Sequence, residues 1–254
     1  MQPHILILGG TTEARELALA LAGRELETTI SLAGRTASPA AQPVPVRRGG
    51  FGGVAGLGHY LRAQGIDALI DATHPYAQGI SANAVQAAAQ TQTPILALRR
   101  PPWRPVQGEV WIDVVDADDA ARRLGETPKR VFLAVGRQEL APFSAAPQHH
   151  YLIRSVDPVE PPLEVPYAEY ILARGPFKES DEYALLVSHS IDTLVAKNSG
   201  GAATYGKIAA ARSLGVQVLL LRRPAAPDCD SVASVAQAVA WLDQVLARKA
   251  MRGV

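Results

Sequence analysis

Near its start the chain runs His4-Ile5-Leu6-Ile7-Leu8-Gly9-Gly10-Thr11-Thr12-Glu13. The run from His4 to Leu8, dominated by branched apolar side chains, reads as a short buried strand. The glycines then allow a sharp turn, and Thr12 to Gly23, with Leu17, Leu19, Ala20 and Leu21, continues as a helix. Glycine lets a backbone approach a diphosphate closely, and the unpaired N–H groups at a helix start favour its charge. Gly9, Gly10, Thr11, Thr12 and Glu13 are therefore candidate cofactor residues. Thr11 and Thr12 either cap the helix or offer hydroxyls to phosphate oxygens. The turn departs from G-x-G-x-x-G, since Thr stands at position 11 and no third glycine follows. Glu13 brings a negative charge whose side chain must point away from any phosphate. The plain alternative is a tight strand-to-helix turn that holds no ligand.

Outward from this turn the same rhythm repeats. Strands are expected at Thr28 to Ala33, Ile66 to Ala72 and Pro94 to Leu98, with helices at Gly56 to Gln64 and Tyr76 to Gln92. The stretch Arg99-Arg100-Pro101-Pro102-Trp103-Arg104-Pro105 interrupts it, because proline stops both helices and central strands. Alternation then resumes, with helices at Asp116 to Gly125, Glu179 to Ser190, Thr204 to Leu214 and Ser231 to Leu246. Strands are expected at Arg130 to Val135, Tyr151 to Ser155, Tyr170 to Ala173, Thr193 to Ala196 and Val216 to Leu221. Strands joined by helices through short loops imply parallel sheets. The expectation is α/β: two Rossmann-like domains, residues 1–98 and 116–254, joined by a linker region at 99–115, with a ligand cleft between them.

Composition sets the bounds. Of 254 residues 48% are hydrophobic and 19% charged, which is ordinary for a globular chain and excludes disorder. The net charge of +1 gives no global field for nucleic acid or an anionic membrane. Anion recognition must be local. The single cysteine, Cys229, forms no internal disulfide, no Cys/His cluster has zinc spacing, and no metal site is expected. No apolar stretch approaches the roughly 20 residues that cross a bilayer, so a cytoplasmic enzyme is expected.

The strand ends carry the chemistry. An NAD-binding fold places an acid about 20 residues after its glycine turn, to hold ribose hydroxyls. Here that region offers Arg35, and no acid lies between Ile30 and Arg48. A guanidinium there pairs with the 2′-phosphate of NADP. Asp71-Ala72-Thr73-His74-Pro75-Tyr76-Ala77 closes the third strand, where open α/β sheets gather ligands. Ala72, Thr73 and His74 are candidate cofactor contacts, and His74 and Tyr76 candidate proton donors. The alternative is that His74 and Asp71 only stabilise the turn. In the second half Gly136-Arg137, Arg174-Gly175-Pro176-Phe177-Lys178 and Lys197-Asn198-Ser199-Gly200-Gly201 each set a cation near glycine at a strand end. Such loops suit carboxylate or phosphate groups. Trp111, Trp241 and Phe132 read as packing. His149-His150 lack ligand spacing, and no G-x-S-x-G elbow points to a hydrolase.

Several blocks, in order, carry a resemblance: ILGGTTEAREL, DATHPYA, AVGRQEL, ILARGPF, KNSGG followed by TYGKIAAA, and LLLRRP. From Ile5 to about Pro224 the chain resembles the precorrin-6A (precorrin-6x) reductase family of cobalamin biosynthesis. The resemblance implies that NADPH reduces the C18–C19 double bond of precorrin-6A, or of its cobalt form, giving precorrin-6B. The substrate would be a tetrapyrrole bearing many carboxylates, which suits dispersed cations on a nearly neutral chain. By position, Gly9 to Glu13, Arg35 and the Asp71 to Tyr76 loop would serve the cofactor. Arg137, Lys178, Lys197, Asn198, Ser199, Gly200 and Gly201 would face the substrate. A monomer or weak homo-oligomer is expected. The rival readings are another NADP-dependent reductase on the same scaffold and a non-catalytic NADPH-sensing protein. The first would need a Tyr-x-x-x-Lys pair, which the chain lacks.

Overall fold

The structure is a computed structural model, and it describes residues 2–34, 40–107 and 111–252. It divides into two compact units: Met1–Pro101 together with Pro224–Val254, and Pro102–Arg223. Each is built on a six-stranded sheet in which every pairing is parallel.

In the first unit the chain runs β1 (His4–Leu8), α1 (Thr12–Leu21), β2 (Glu27–Leu32), β3 (Val46–Arg48), α2 (Gly53–Ala63), β4 (Ile66–Asp71), α3 (Gln78–Thr91) and β5 (Ile95–Leu98). After the second unit it returns as β12 (Ser231–Val232) and α7 (Val235–Arg252). The strand order is β3-β2-β1-β4-β5-β12. The period-2 alternation of side chains along a strand sorts the core. Ile5 and Ile7 of β1, with Ala68 and Ile70 of β4, pack against α1 and α7. Leu6, Leu8 and Leu69 pack on the other face against α2 and α3. A parallel sheet covered on both faces reads as the continuous apolar run seen at β1.

The second unit contains β6 (Trp111–Val114), α4 (Ala117–Leu124), β7 (Arg130–Ala134), two short 3-10 turns (Arg137–Glu139 and Ala141–Ala145) and β8 (His150–Ser155). There follow β9 (Ala168–Leu172), α5 (Glu179–Ser188), β10 (Thr193–Lys197), α6 (Gly206–Leu214) and β11 (Gln217–Leu221). Its order is β9-β8-β7-β10-β11-β6. Counted from β7, the first five strands of this sheet repeat the 3-2-1-4-5 order of the first sheet. The sixth position differs in origin: β6 comes from before its unit's core, whereas β12 comes from far after its own.

The expected domain limits need correction on two counts. Residues 224–254 belong to the first unit, because Ala238 and Leu242 of α7 are fully buried in the core that α1 shares with β1 and β4. The expected linker 99–115 also contains β6, which pairs with β11 through Trp111↔Val218. Ser231–Val232, expected as the start of a helix, extends the first sheet beside β5. No helix among the described residues is long and apolar enough to cross a membrane.

Candidate functional site

In each sheet the chain reverses its direction of strand addition between two central strands. The loops leaving the carboxyl ends of those strands form the ligand-binding crevice of an open α/β sheet. In the first unit the two strands are β1 and β4, and in the second they are β7 and β10.

At the β1 end, Gly9 leaves room for Ile30 on the neighbouring strand: a Cβ there would lie 2.7 Å from Ile30 Cδ1, and that side chain would have to shift. Gly10 is required by conformation, with φ +116°, and space is open where its side chain would be. Thr11 is the N-cap of α1. Its hydroxyl accepts from Ala14 N–H at 3.1 Å and donates to the Ala72 carbonyl at 2.8 Å, tying the ends of β1 and β4 together. Of the two roles open to Thr11, capping is the one observed. Thr12 is exposed at the first turn. Glu13 is paired with Arg100, and both side chains are largely buried. The negative charge is thus neutralised, and the first-turn N–H groups, which lack intrahelical partners, face no unpaired carboxylate of their own turn.

The β4 end is organised by Asp71, which is 2% exposed. Its carboxylate accepts from Thr73 N–H at 3.1 Å, the Thr73 hydroxyl at 2.7 Å and the Ser81 hydroxyl at 2.5 Å. Arg99 lies 3.9 Å away. Thr73 therefore turns its hydroxyl inward, and Ala72 is wholly buried, reaching its surroundings through its backbone. His74 and Tyr76 are half-buried, with ring centroids 5.6 Å apart. Tyr76 N–H donates to His74 Nδ1 at 3.3 Å, which places the proton of the neutral ring on Nε2. Arg35, the expected 2′-phosphate ligand, lies outside the described residues.

In the second unit Lys197, at the β10 end, pairs with Glu139 at 2.5 Å just beyond the β7 end. Arg137 is exposed and donates to the Pro158 carbonyl at 3.1 Å. Lys178 is exposed at the N-cap of α5. Asn198 spends its amide on the backbone of Trp103, accepting from N–H at 2.8 Å and donating to the carbonyl at 3.0 Å. Trp103 Nε1 donates to the Gly201 carbonyl at 2.8 Å. Arg223 donates to the carbonyls of Asn198 at 2.7 Å and Ser199 at 2.9 Å. Gly200 and Gly201 have φ of +66° and +72°.

The structure thus gathers Gly9 to Glu13 with Ala72 to Tyr76 at one crevice, and Arg137 with Lys197 to Gly201 at the other. Sequence reading missed Arg100, Glu139, Trp103 and Arg223. Trp103 sat in a proline-rich stretch read as linker; its lone large aromatic ring among prolines was the available signal. Among the described residues no cluster of three His, Cys, Asp or Glu side chains could hold a metal.

Comparison with known proteins identifies the family. The family model described as precorrin-6x reductase CbiJ/CobK matches residues 4–243. The chain is 56% identical over 239 residues to the precorrin-6A reductase of Sinorhizobium sp, covering 94% of this chain and 92% of that protein. It is 52% identical to the precorrin-6A reductase of Rhodobacter capsulatus, covering 94% and 95%. A solved structure titled CobK precorrin-6A reductase superposes with a TM-score of 0.93 at 50% identity, covering 96% of this chain and 97% of that one. With nearly the whole length matched, the chain belongs to the precorrin-6x reductase family.

Proposed function

We propose that the chain reduces the C18–C19 double bond of cobalt-free precorrin-6A, giving precorrin-6B, with NADPH as the reductant. The observation that carries this reading is the glycine turn at the β1/β4 crevice, with Glu13 neutralised by Arg100, in a chain belonging to a reductase family. The residues present fit the dinucleotide. Gly9 to Glu13 offer a close backbone approach and first-turn N–H groups for the diphosphate. Arg35 is the ligand for the 2′-phosphate. The names of the two relatives above, which specify precorrin-6A without cobalt, favour the metal-free substrate.

When bound, NADPH supplies a hydride to one carbon of the double bond. The protein's own residues do the rest. Asp71 fixes the turn from Ala72 to Tyr76 and so sets where the His74 and Tyr76 rings stand. His74 holds a proton at Nε2 and offers it as a hydrogen bond that orients the reacting ring, with Tyr76 packed beside it, while the proton that reaches the second carbon comes from water. Arg137, Lys178 and Lys197, with the Gly200–Gly201 backbone, meet substrate carboxylates by charge-assisted bonds. Orientation of a reactive conjugated ring is then the main catalytic task.

The test is anaerobic incubation of purified protein with NADPH and precorrin-6A. Loss of NADPH absorbance together with a change in the macrocycle spectrum is expected. Folded protein that consumes neither refutes the reading. Arg35→Ala should weaken NADPH binding about thirtyfold while changing NADH binding about twofold or less. Equal losses in a titration of the two coenzymes would remove Arg35 from the 2′-phosphate site.

A further inference from the structure

Gly49-Gly50-Phe51-Gly52-Gly53, at the end of β3, is the most glycine-rich stretch of the chain. Glycine has the most backbone freedom to lose, so a loop of this composition needs something to hold it. Arg47 does so. Its guanidinium donates to the Gly49 carbonyl at 2.6 Å, the Gly50 carbonyl at 2.9 Å and the Ser31 hydroxyl at 3.4 Å. It also lies 3.6 Å from the Phe51 ring centre and 5.3 Å from that of Tyr60. The two rings meet edge-on, with centroids 5.1 Å apart. One side chain thus ties the loop to β2 through Ser31 and to α2 through Tyr60. None of these partners is a carboxylate, so ion pairing does not account for arginine at this position. Its planar fork does, because it meets two successive carbonyls while stacking on a ring.

Holding those carbonyls fixes the other side of each peptide. In a trans peptide the C=O and N–H point in opposite directions, so the N–H groups of Gly50 and Phe51 face away from Arg47. Neither donates to a backbone carbonyl among the described residues. Successive N–H groups turned the same way form a concavity that accepts an anion. The surrounding charge agrees: from Thr28 to Ile66 the chain holds four arginines, Arg35, Arg47, Arg48 and Arg62, and no Asp or Glu. The loop also lies against the end of β2. Gly49 N–H donates to the Leu32 carbonyl at 2.9 Å, and a Cβ on Gly34 would lie 3.7 Å from Gly49 N. This strand end is where a dinucleotide fold meets the ribose 2′ position. An NAD site would set a carboxylate there to accept from ribose hydroxyls, whereas N–H donors and arginines suit phosphate oxygens.

We propose that Arg47 is a positioning residue for coenzyme choice: without touching the coenzyme, it holds the Gly50 and Phe51 N–H groups toward the 2′-phosphate of NADPH. The preference for the phosphorylated coenzyme is then set by the shape of this loop as well as by the charge of Arg35. This rests on the NADPH reading, and it names what makes the β2 end selective.

Calorimetric titration of full-length protein with adenosine 2′,5′-bisphosphate and with 5′-AMP isolates the 2′-phosphate, since the probes differ only there. Arg47→Met should weaken binding of the bisphosphate about tenfold while leaving 5′-AMP within about twofold. With precorrin-6A as acceptor, KM for NADPH should rise about as much and kcat should be retained. Arg47→Lys keeps the charge but not the fork, and should lose only about threefold. Phe51→Leu keeps both carbonyl bonds, removes the ring under the guanidinium, and should also lose about threefold. These two milder variants carry the test if Arg47→Met fails to fold. Equal weakening of both probes would show that Arg47 serves the fold alone, and overturns the proposal. Bisphosphate binding within about twofold of wild type in every folded variant overturns it as well. Wild-type protein that prefers the bisphosphate while the variants are unchanged sinks this inference alone. Wild-type protein with no preference for the bisphosphate sinks the NADPH reading and this one with it.

Discussion

Asp71 shows how one buried carboxylate can set the shape of a crevice. Three donors from Thr73 and Ser81 converge on it, so the turn that carries His74 is written largely in its hydrogen bonds. Asp71→Ala leaves those donors without their acceptor and should cost about 3 kcal/mol, measured by urea denaturation. Its effect on coenzyme KM should exceed that of Ser81→Ala, which removes one donor and leaves the others. Equal stability of wild type and Asp71→Ala would show that the turn holds its shape by packing alone. His149 makes a different argument at the same scale. Its ring is fully buried, accepts from Lys129 N–H at 3.2 Å, and has Nε2 without a hydrogen-bond partner. Burial, helped by the Lys129 charge, holds its pKa below the ordinary value. Above about pH 6.5 the ring is neutral in both folded and unfolded chains and brings no pH dependence. As pH falls through that value the unfolded chain takes up the proton first, so stability drops. Melting temperature should therefore fall more steeply below about pH 6.5 in wild type than in His149→Asn, which keeps an acceptor for Lys129 N–H. Parallel curves for the two proteins would assign the acid sensitivity to other groups.

Between elements, a buried ion pair ties β8 to α5 through Arg154 and Glu182, with Nη2 to Oε2 at 2.9 Å. Both residues are buried, so the pair's worth lies in what breaking it leaves behind. Glu182→Ala strands a guanidinium and should cost about 3–5 kcal/mol, whereas Arg154→Met/Glu182→Leu should cost far less. Chemical denaturation of both variants checks this, and equal losses would trace the effect to packing rather than charge. Elements of this central kind were legible in the sequence, because apolar runs such as Ile5 to Leu8 and Val218 to Leu221 mark strands covered on both faces. The strands that escaped notice, Val46–Arg48, Trp111–Val114 and Ser231–Val232, all lie at sheet edges. An edge strand pairs through its backbone on one side only and needs no continuous apolar pattern. The site divides in the same way. Glycine turns and cation-bearing loops at strand ends could be read locally, as Gly9 to Glu13 and Lys197 to Gly201 were. Glu13 with Arg100 and Trp103 with Asn198 are 87 and 95 residues apart, and no local pattern announces such pairs.

For the molecule as a whole, the two sheets share a strand order without sharing a visible sequence repeat. Strand order follows from the alternation of buried strands and covering helices, which many side-chain choices satisfy, so architecture can recur while sequence diverges. What the alternation alone does not specify is which sheet the last elements join. The answer lies in the face left uncovered: α1 alone cannot shield Ile5, Ile7 and Ile70, and α7 completes the layer with Ala238 and Leu242 fully buried and Val235, Val239, Trp241, Val245 and Leu246 packed around them. Arg24 with Asp243, and Lys249 with Asp67, fasten the same helix at the surface. Each large apolar side chain so covered contributes about 1.5–3 kcal/mol at full burial, and their sum rivals the whole stability of a typical domain, about 5–15 kcal/mol. A chain ending at Ser234 should therefore lose cooperative unfolding of the first unit, although it retains every residue assigned to the coenzyme. Limited proteolysis should cut it first within residues 1–101 and leave 102–223 resistant, and NADPH binding should vanish. Adding a peptide of residues 231–254 should restore protection to the first unit, because the missing layer is supplied by contact rather than by chain continuity. If the shortened protein instead melts as the full chain does and still binds NADPH, α7 is a surface attachment and the first sheet is stable with one face half covered.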